Sequence, residues 1–327
     1  MPPPAALLNL LQQHSEEHLL AHWDQLSKRE CDQLQSQLLA INWHEIAACK
    51  KLVEAHQQRR NKQNHEDLKN AVTPHCHKIG EHTATLSDAL NRGHQCLRTA
   101  QVGAILMAGG QGTRLGFSEP KGTFPIAPIS KATLFDVLLG QLNAIKKRFG
   151  SRIPLAIMTS AATDTATRRF IAEMNSCGLD PDQIFFFCQG NLPTIDAMTG
   201  HLLLDARDHV AVAPDGHGGM LQALTESGGL DWFRQQDCHT LVSFQVDNPL
   251  AKPLDPKFLG YHLLSGSSLS TQVIEKIDPS ERVGVVAESG GATKIIEYSD
   301  LPEAIAAERL PDGRLRFFAG SIGIHAF

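Results

Sequence analysis

The sequence predicts an α/β fold, with a largely parallel sheet carrying helices on both faces. Three observations predict it. From residue 99 onward, short apolar runs alternate with helical stretches; the first run stops at a cluster of glycines; and a later run leads into an aspartate. Ligand sites in such sheets lie at the carboxyl ends of strands, so the glycines and the aspartate are the first places to look for chemistry.

The elements follow in order. Residues 102–107 (VGAILM) are apolar throughout and read as a buried strand, because both faces of a parallel strand are covered. Thr133 to Phe149 reads as a helix with Leu134, Val137, Leu138, Leu142 and Ile145 on one face. Residues 153–159 form a second strand, 164–177 a helix ending near Gly178, and 184–188 (IFFFC) a third strand. Residues 241–246 form a fourth, running into Asp247. Short β-branched or apolar segments at 270–277, 283–288, 294–298 and 315–318 read as strand additions.

Residues 1–98 have another texture, rich in Gln, His, Leu and charge, and are expected to form an N-terminal helical region ahead of the α/β domain at 99–327. Leu7, Leu8, Leu10 and Leu11 open an amphipathic pattern that resumes at His18, Leu19, Leu20 and Trp23. Ser27 with Glu30 three residues on has the form of a capping box. The polar stretch QQRRNKQNHEDLKN (57–70) reads as a solvated helical face. Trp23, Trp43 and Trp232 read as core or interface anchors.

Bulk properties narrow the function. The 327 residues carry a net charge of −5, which argues against a nucleic-acid binder with a basic face. No apolar run reaches the length of a membrane span, and the N-terminus lacks the form of a secretory signal. The seven cysteines show no CxxC spacing and read as reduced thiols of a cytoplasmic protein. His75, Cys76 and His77 sit together, but no second cluster at zinc spacing accompanies them, so no zinc site is expected there.

The central feature is AILMAGGQGTRLGFSEPKGTFPI, residues 104–126. Gly109, Gly110 and Gly112 follow the first strand and permit close approach of backbone amides to an anion. Arg114 and Lys121 supply cations that a plain turn has no need of. The string lacks the GxxxxGK[ST] of a Walker loop, and Gly116 falls one residue too far from Gly112 for a GxGxxG dinucleotide fingerprint.

This segment resembles the signature of the eukaryotic-type UDP-N-acetylglucosamine pyrophosphorylases, within the UDP-sugar pyrophosphorylase superfamily. The similarity continues in collinear order through IMTS (157–160), FFFCQGNLPTID (185–196), VAPDGHGGM (212–220), VDNPLAKPLDPKFLG (246–260), VIEKIDPSERVGVV (273–286), IIEYSDL (295–301) and LRFFAGSIGIHAF (315–327). The resemblance implies a Rossmann-like, GT-A-like nucleotidyltransferase domain and a reaction of UTP with N-acetylglucosamine 1-phosphate, with Mg²⁺ or Mn²⁺ as cofactor. It implies nucleotide contacts at Leu106, Ala108, Gly109, Gly110, Lys121, Gln189 and Gly216, and catalytic roles for Arg114, Lys121 and Asp247, with Asp247 also holding the metal. It implies sugar contacts at His217, Gly284, Glu297, Tyr298 and Ser321.

Two positions depart from the family pattern. His217 stands where the family has Asn, and Ser321 replaces an Asn of the GNIANH motif. Both fall on the sugar side, so another sugar 1-phosphate (glucose, galactose or N-acetylgalactosamine) is an alternative substrate. Family members continue past the point matching Phe327, so a truncated, non-catalytic uridine-nucleotide-binding module is a further alternative. The closing apolar run FFAGSIGIHAF is expected to leave an exposed strand edge.

Overall fold

A computed structural model describes residues 2–62, 66–78 and 84–327. The chain packs into two compact units, Met1–Glu66 with Gly190–Asp215, and Asp67–Gln189 with Gly216–Phe327.

The smaller unit is built on helices Ala5–His14, Lys28–Ala40 and Trp43–Lys62. Ser27 and Glu30 close the expected capping box on the second of these. Leu7, Leu11, Trp23, Leu34, Leu38 and Trp43 form its core together with Leu202 and Val210 from the distant 190–215 segment. That segment folds as two short antiparallel pairs, Asn191–Pro193 with Val212–Pro214 and Leu204–Ala206 with His209–Val210. Asp215 donates its backbone N–H to the Gly190 carbonyl at 3.1 Å and closes the excursion at its base. Of the stretch 57–70, expected as a solvated helical face, residues 57–62 continue helix Trp43–Lys62 and Glu66–Lys69 form a further short helix. Lys69 and Asn70 are exposed, and the exposure of 57–67 lies outside what the structure describes.

The larger unit holds an eight-stranded sheet: β1 (Val102–Met107), β2 (Leu155–Thr159), β3 (Ile184–Cys188), β4 (Thr240–Gln245), β5 (Ser270–Glu275), β6 (Val285–Ser289), β7 (Ala292–Ile296) and β8 (Ala319–Ala326). The order is β7-β6-β8-β4-β1-β2-β3, with β5 also paired to β8. Strands β3, β2, β1 and β4 are mutually parallel, and the remaining pairings are antiparallel. Alternation along β1 explains why the sheet is covered twice. Val102, Ala104 and Leu106 enter one core with Leu138 and Leu142 of helix Leu134–Phe149, whereas Ile105 and Met107 enter another with Leu224 and Phe233. No helix among the described residues is long and apolar enough to cross a membrane.

Four expectations need correction. The compact units do not divide at residue 98. Helix Ala84–Arg98 docks on helix Pro256–Ser265 within the larger unit, because Gly93 and Gly260 let the backbones meet: a Cβ on Gly93 would lie 1.9 Å from the Pro256 carbonyl oxygen. The expected strand at 315–318 is an irregular segment whose Leu315 and Phe317 are buried. The strand lies just after it, as β8. That strand is not an exposed edge, since β4, β5 and β6 all pair with it. The helix from 164 ends at Glu173, where Asn175, Ser176 and Cys177 take positive φ and cannot continue it.

Candidate active site

The glycine loop starts from a rigid base. Ala108 N–H donates to the Met158 carbonyl at 2.8 Å, and the Ser160 hydroxyl donates to the Gly109 carbonyl at 2.8 Å. From there the chain makes a short excursion and returns. Lys121 N–H donates to the Gly110 carbonyl at 3.0 Å, and Gly112 N–H donates to the Glu119 carbonyl at 3.1 Å. Gly116 turns the excursion at φ 67°, the left-handed region that suits glycine. This double closure delivers Lys121 back beside Gly110.

The far side of the site comes from β4. Val246 N–H donates to the Met107 carbonyl at 3.0 Å, which aligns the ends of β4 and β1. Asp247 follows directly, and its Oδ2 lies 3.1 Å from Lys121 Nζ. The Asp247 side chain is 46% exposed and that of Lys121 21% exposed, so the pair faces solvent at the carboxyl ends of the strands. Gln189, one residue beyond β3, is fixed by its N–H to the Thr159 carbonyl at 2.8 Å. A Cβ on Gly109 would come within 2.9 Å of Gln189 Oε1, so only glycine lets that amide lie against the loop.

The structure therefore brings together Gly109, Gly110, Lys121, Gln189 and Asp247. Leu106 and Ala108 are fully buried, so their side chains belong to the core and any ligand contact from them is a backbone contact. Arg114 is exposed on the one-turn 3-10 helix Thr113–Leu115. Gly216, at φ 60°, opens the return of the chain to the larger unit.

Four of the expected sugar residues, Gly284, Glu297, Tyr298 and Ser321, lie on or beside the antiparallel strands β6, β7 and β8. Ser321 N–H donates to the Gly284 carbonyl at 2.8 Å, and a Cβ on Gly284 would meet Glu297 Oε1 at 3.3 Å. Glu297 and Tyr298 are exposed beside them. His217 is exposed, with Nδ1 3.5 Å from Gln245 Nε2. Between Ser321 and His325 the pairing of β8 with β5 slips its register, and within that irregularity a Cβ on Gly323 would lie 2.2 Å from the same Gln245 amide.

Two residues escaped the sequence reading. Gln245 stands two positions before Asp247, and the period of a strand could have marked it. His325 lies in the closing motif; burial, helped by the nearby His217, holds its imidazole below the usual value, and its Nδ1 is buried without a hydrogen-bond partner among the described residues.

Comparison with known proteins places this geometry. Residues 47–320 match the sequence profile of the UTP–glucose-1-phosphate uridylyltransferase family. The chain is 30% identical over 320 residues to the UDP-N-acetylglucosamine pyrophosphorylase of Saccharomyces cerevisiae, covering 95% of this chain and 67% of that protein. It is 31% identical over 331 residues to the human UDP-N-acetylhexosamine pyrophosphorylase-like protein 1, covering 97% of this chain and 64% of that protein. A crystal structure of the uridine diphosphate N-acetylglucosamine pyrophosphorylase from Trypanosoma brucei shares the fold, with a TM-score of 0.79 at 24% identity, over 100% of this chain and 66% of that one. The chain thus spans about two thirds of the length of the relatives it matches. With the glycine loop, the strand-end aspartate and the matched span in agreement, the chain belongs to the UTP–glucose-1-phosphate uridylyltransferase family and resembles its UDP-N-acetylglucosamine pyrophosphorylases.

Proposed function

We propose that this protein is a uridylyltransferase that joins UTP to N-acetylglucosamine 1-phosphate, releasing pyrophosphate. The observation that carries the reading is the Lys121–Asp247 pair, 3.1 Å apart beside the glycine loop. A phosphate oxygen of the sugar phosphate attacks the α-phosphorus of UTP. The new P–O bond forms as the α–β bridge bond breaks, and the electron pair leaves on pyrophosphate. No protein nucleophile is needed, so positioning and charge neutralisation supply the catalysis.

Each residue has a task in this scheme. The amides of Gly109 and Gly110 approach the phosphates, and Gln189 offers a side-chain amide to the uracil edge. Lys121 has a partly exposed ammonium that can leave Asp247 for the phosphates, and Arg114 adds a second cation. One exposed carboxylate at a strand end fits Mg²⁺, which takes one or two carboxylates and fills its remaining positions from phosphates and water. Bound there, Mg²⁺ would neutralise charge on the phosphate oxygens, with Mn²⁺ as a substitute. Seven free cysteines support a reducing, cytoplasmic setting.

A second reading changes the sugar to glucose, galactose or N-acetylgalactosamine 1-phosphate. It is favoured by His217, beside Gln245 at the end of β4, and by Ser321 on β8. Pyrophosphate release from UTP with each of the four sugar phosphates tests both readings. The expected result is Mg²⁺-dependent release that is fastest with N-acetylglucosamine 1-phosphate. Faster release with another sugar would move the assignment to it. UTP binding by calorimetry without release from any sugar would reduce the protein to a nucleotide-binding module.

A further inference from the structure

Within the smaller unit, Glu16 is 0% exposed yet carries a carboxylate. Its Oε1 is taken by Lys50 Nζ, and its Oε2 accepts the Leu202 N–H at 3.1 Å. The same Oε2 also faces His18 Nδ1 at 3.5 Å and His201 Nδ1 at 3.6 Å. Both gaps exceed the usual hydrogen-bond range of about 2.7–3.2 Å. Two ligands of a tetrahedral ion with bonds of ~2.0–2.1 Å stand roughly 3.3–3.4 Å apart. The spacing therefore suits a shared ion better than a pair of hydrogen bonds.

The proton positions point the same way. His18 Nε2 lies 2.8 Å from the Leu202 carbonyl oxygen, which can only accept, so Nε2 carries the proton. In the neutral ring, Nδ1 then turns a lone pair toward the Glu16 carboxylate, an arrangement that is repulsive until a cation lies between them. His201 Nδ1 is buried and has no hydrogen-bond partner among the described residues. All three donor atoms lie within 4.8 Å of one another. The Leu202 carbonyl would orient the His18 ring as carbonyls do for metal-bound imidazoles. Both rings are nearly half exposed, at 46% and 45%, which leaves room for water as a fourth ligand. Lys50 holds Oε1 alone, so an ion on Oε2 need not displace it.

We propose that Glu16 Oε2, His18 Nδ1 and His201 Nδ1 form a binding site for a zinc-class divalent ion. The ion would clamp the turn after the first helix to residues 201–202 of the distant segment. Tag-free protein stripped with a chelator is titrated with Zn²⁺ against a chromophoric chelator, alongside H18Q, H201Q and a His75→Gln/His77→Gln control. One equivalent is expected in the wild type and in the control, with affinity at least about tenfold weaker in H18Q and H201Q. Absence of stoichiometric zinc in the wild type, unchanged affinity in either single variant, or loss in the control would overturn the proposal. Co²⁺ in the wild-type protein needs no variant. An intense tetrahedral visible spectrum supports the site, and the weak spectrum of hydrated Co²⁺ overturns it.

Discussion

Two lysine–carboxylate pairs occupy opposite settings in this molecule. Glu16 is wholly buried against Lys50, whereas Asp247 is 46% exposed against Lys121. The chemical groups are the same, and burial alone separates their roles. An exposed pair is worth about 0–1 kcal/mol, so its members can exchange partners when phosphate arrives. Removing one partner of a buried pair costs about 3–5 kcal/mol, because the other charge is stranded. The Lys121–Asp247 pair is therefore available to ligands, and the Glu16–Lys50 pair holds structure.

The largest expected effect tests the buried pair. Lys50→Met should destabilise the protein by about 3–5 kcal/mol in urea unfolding, and a loss below about 1 kcal/mol would erase the contrast. Asp247→Ala should lower pyrophosphate release by about 10²–10³-fold while stability stays within about 0.5 kcal/mol. If its unfolding midpoint collapsed together with turnover, the exposed pair would be structural after all.

Asp164, with a side chain 23% exposed, sharpens the comparison from between the extremes. Burial pushes its pKa up, but hydrogen bonds from Arg168 and Thr159 outweigh this and hold it below the ordinary 3.8. A depressed carboxyl contributes stability at neutral pH that is lost as pH falls through its folded value. Asp164→Asn should therefore cost about 1 kcal/mol at pH 7. The gap to wild type should close as the pH drops below 3.8, and a gap independent of pH would remove the charge from the explanation.

The parallel half of the sheet was legible in the sequence because its signals are local. VGAILM is buried at all six positions, and IFFFC is a strand over the span expected for it. The glycine loop and Asp247 were found from strand ends alone, and the structure sets Asp247 beside Lys121. What stayed hidden depends on chain return. The strand expected at 315–318 was misplaced because buried Leu315 and Phe317 in an irregular turn carry the same apolar signal as a strand. The metal-ligating potential of His18 and His201 has no spacing to read, since the fold alone sets them around Glu16. The boundary at residue 98 failed because helical texture does not say which core a helix will join.

The smaller unit is assembled from two stretches of chain that are far apart in the gene. A recombinant piece ending before residue 190 would lack Leu202 and Val210, and with them part of the apolar centre on which the first helices condense. Deleting the opening 66 residues would instead leave those two side chains without the leucines that cover them. Neither cut yields an independent module, so truncation mapping of this protein should be expected to report misfolding before it reports function.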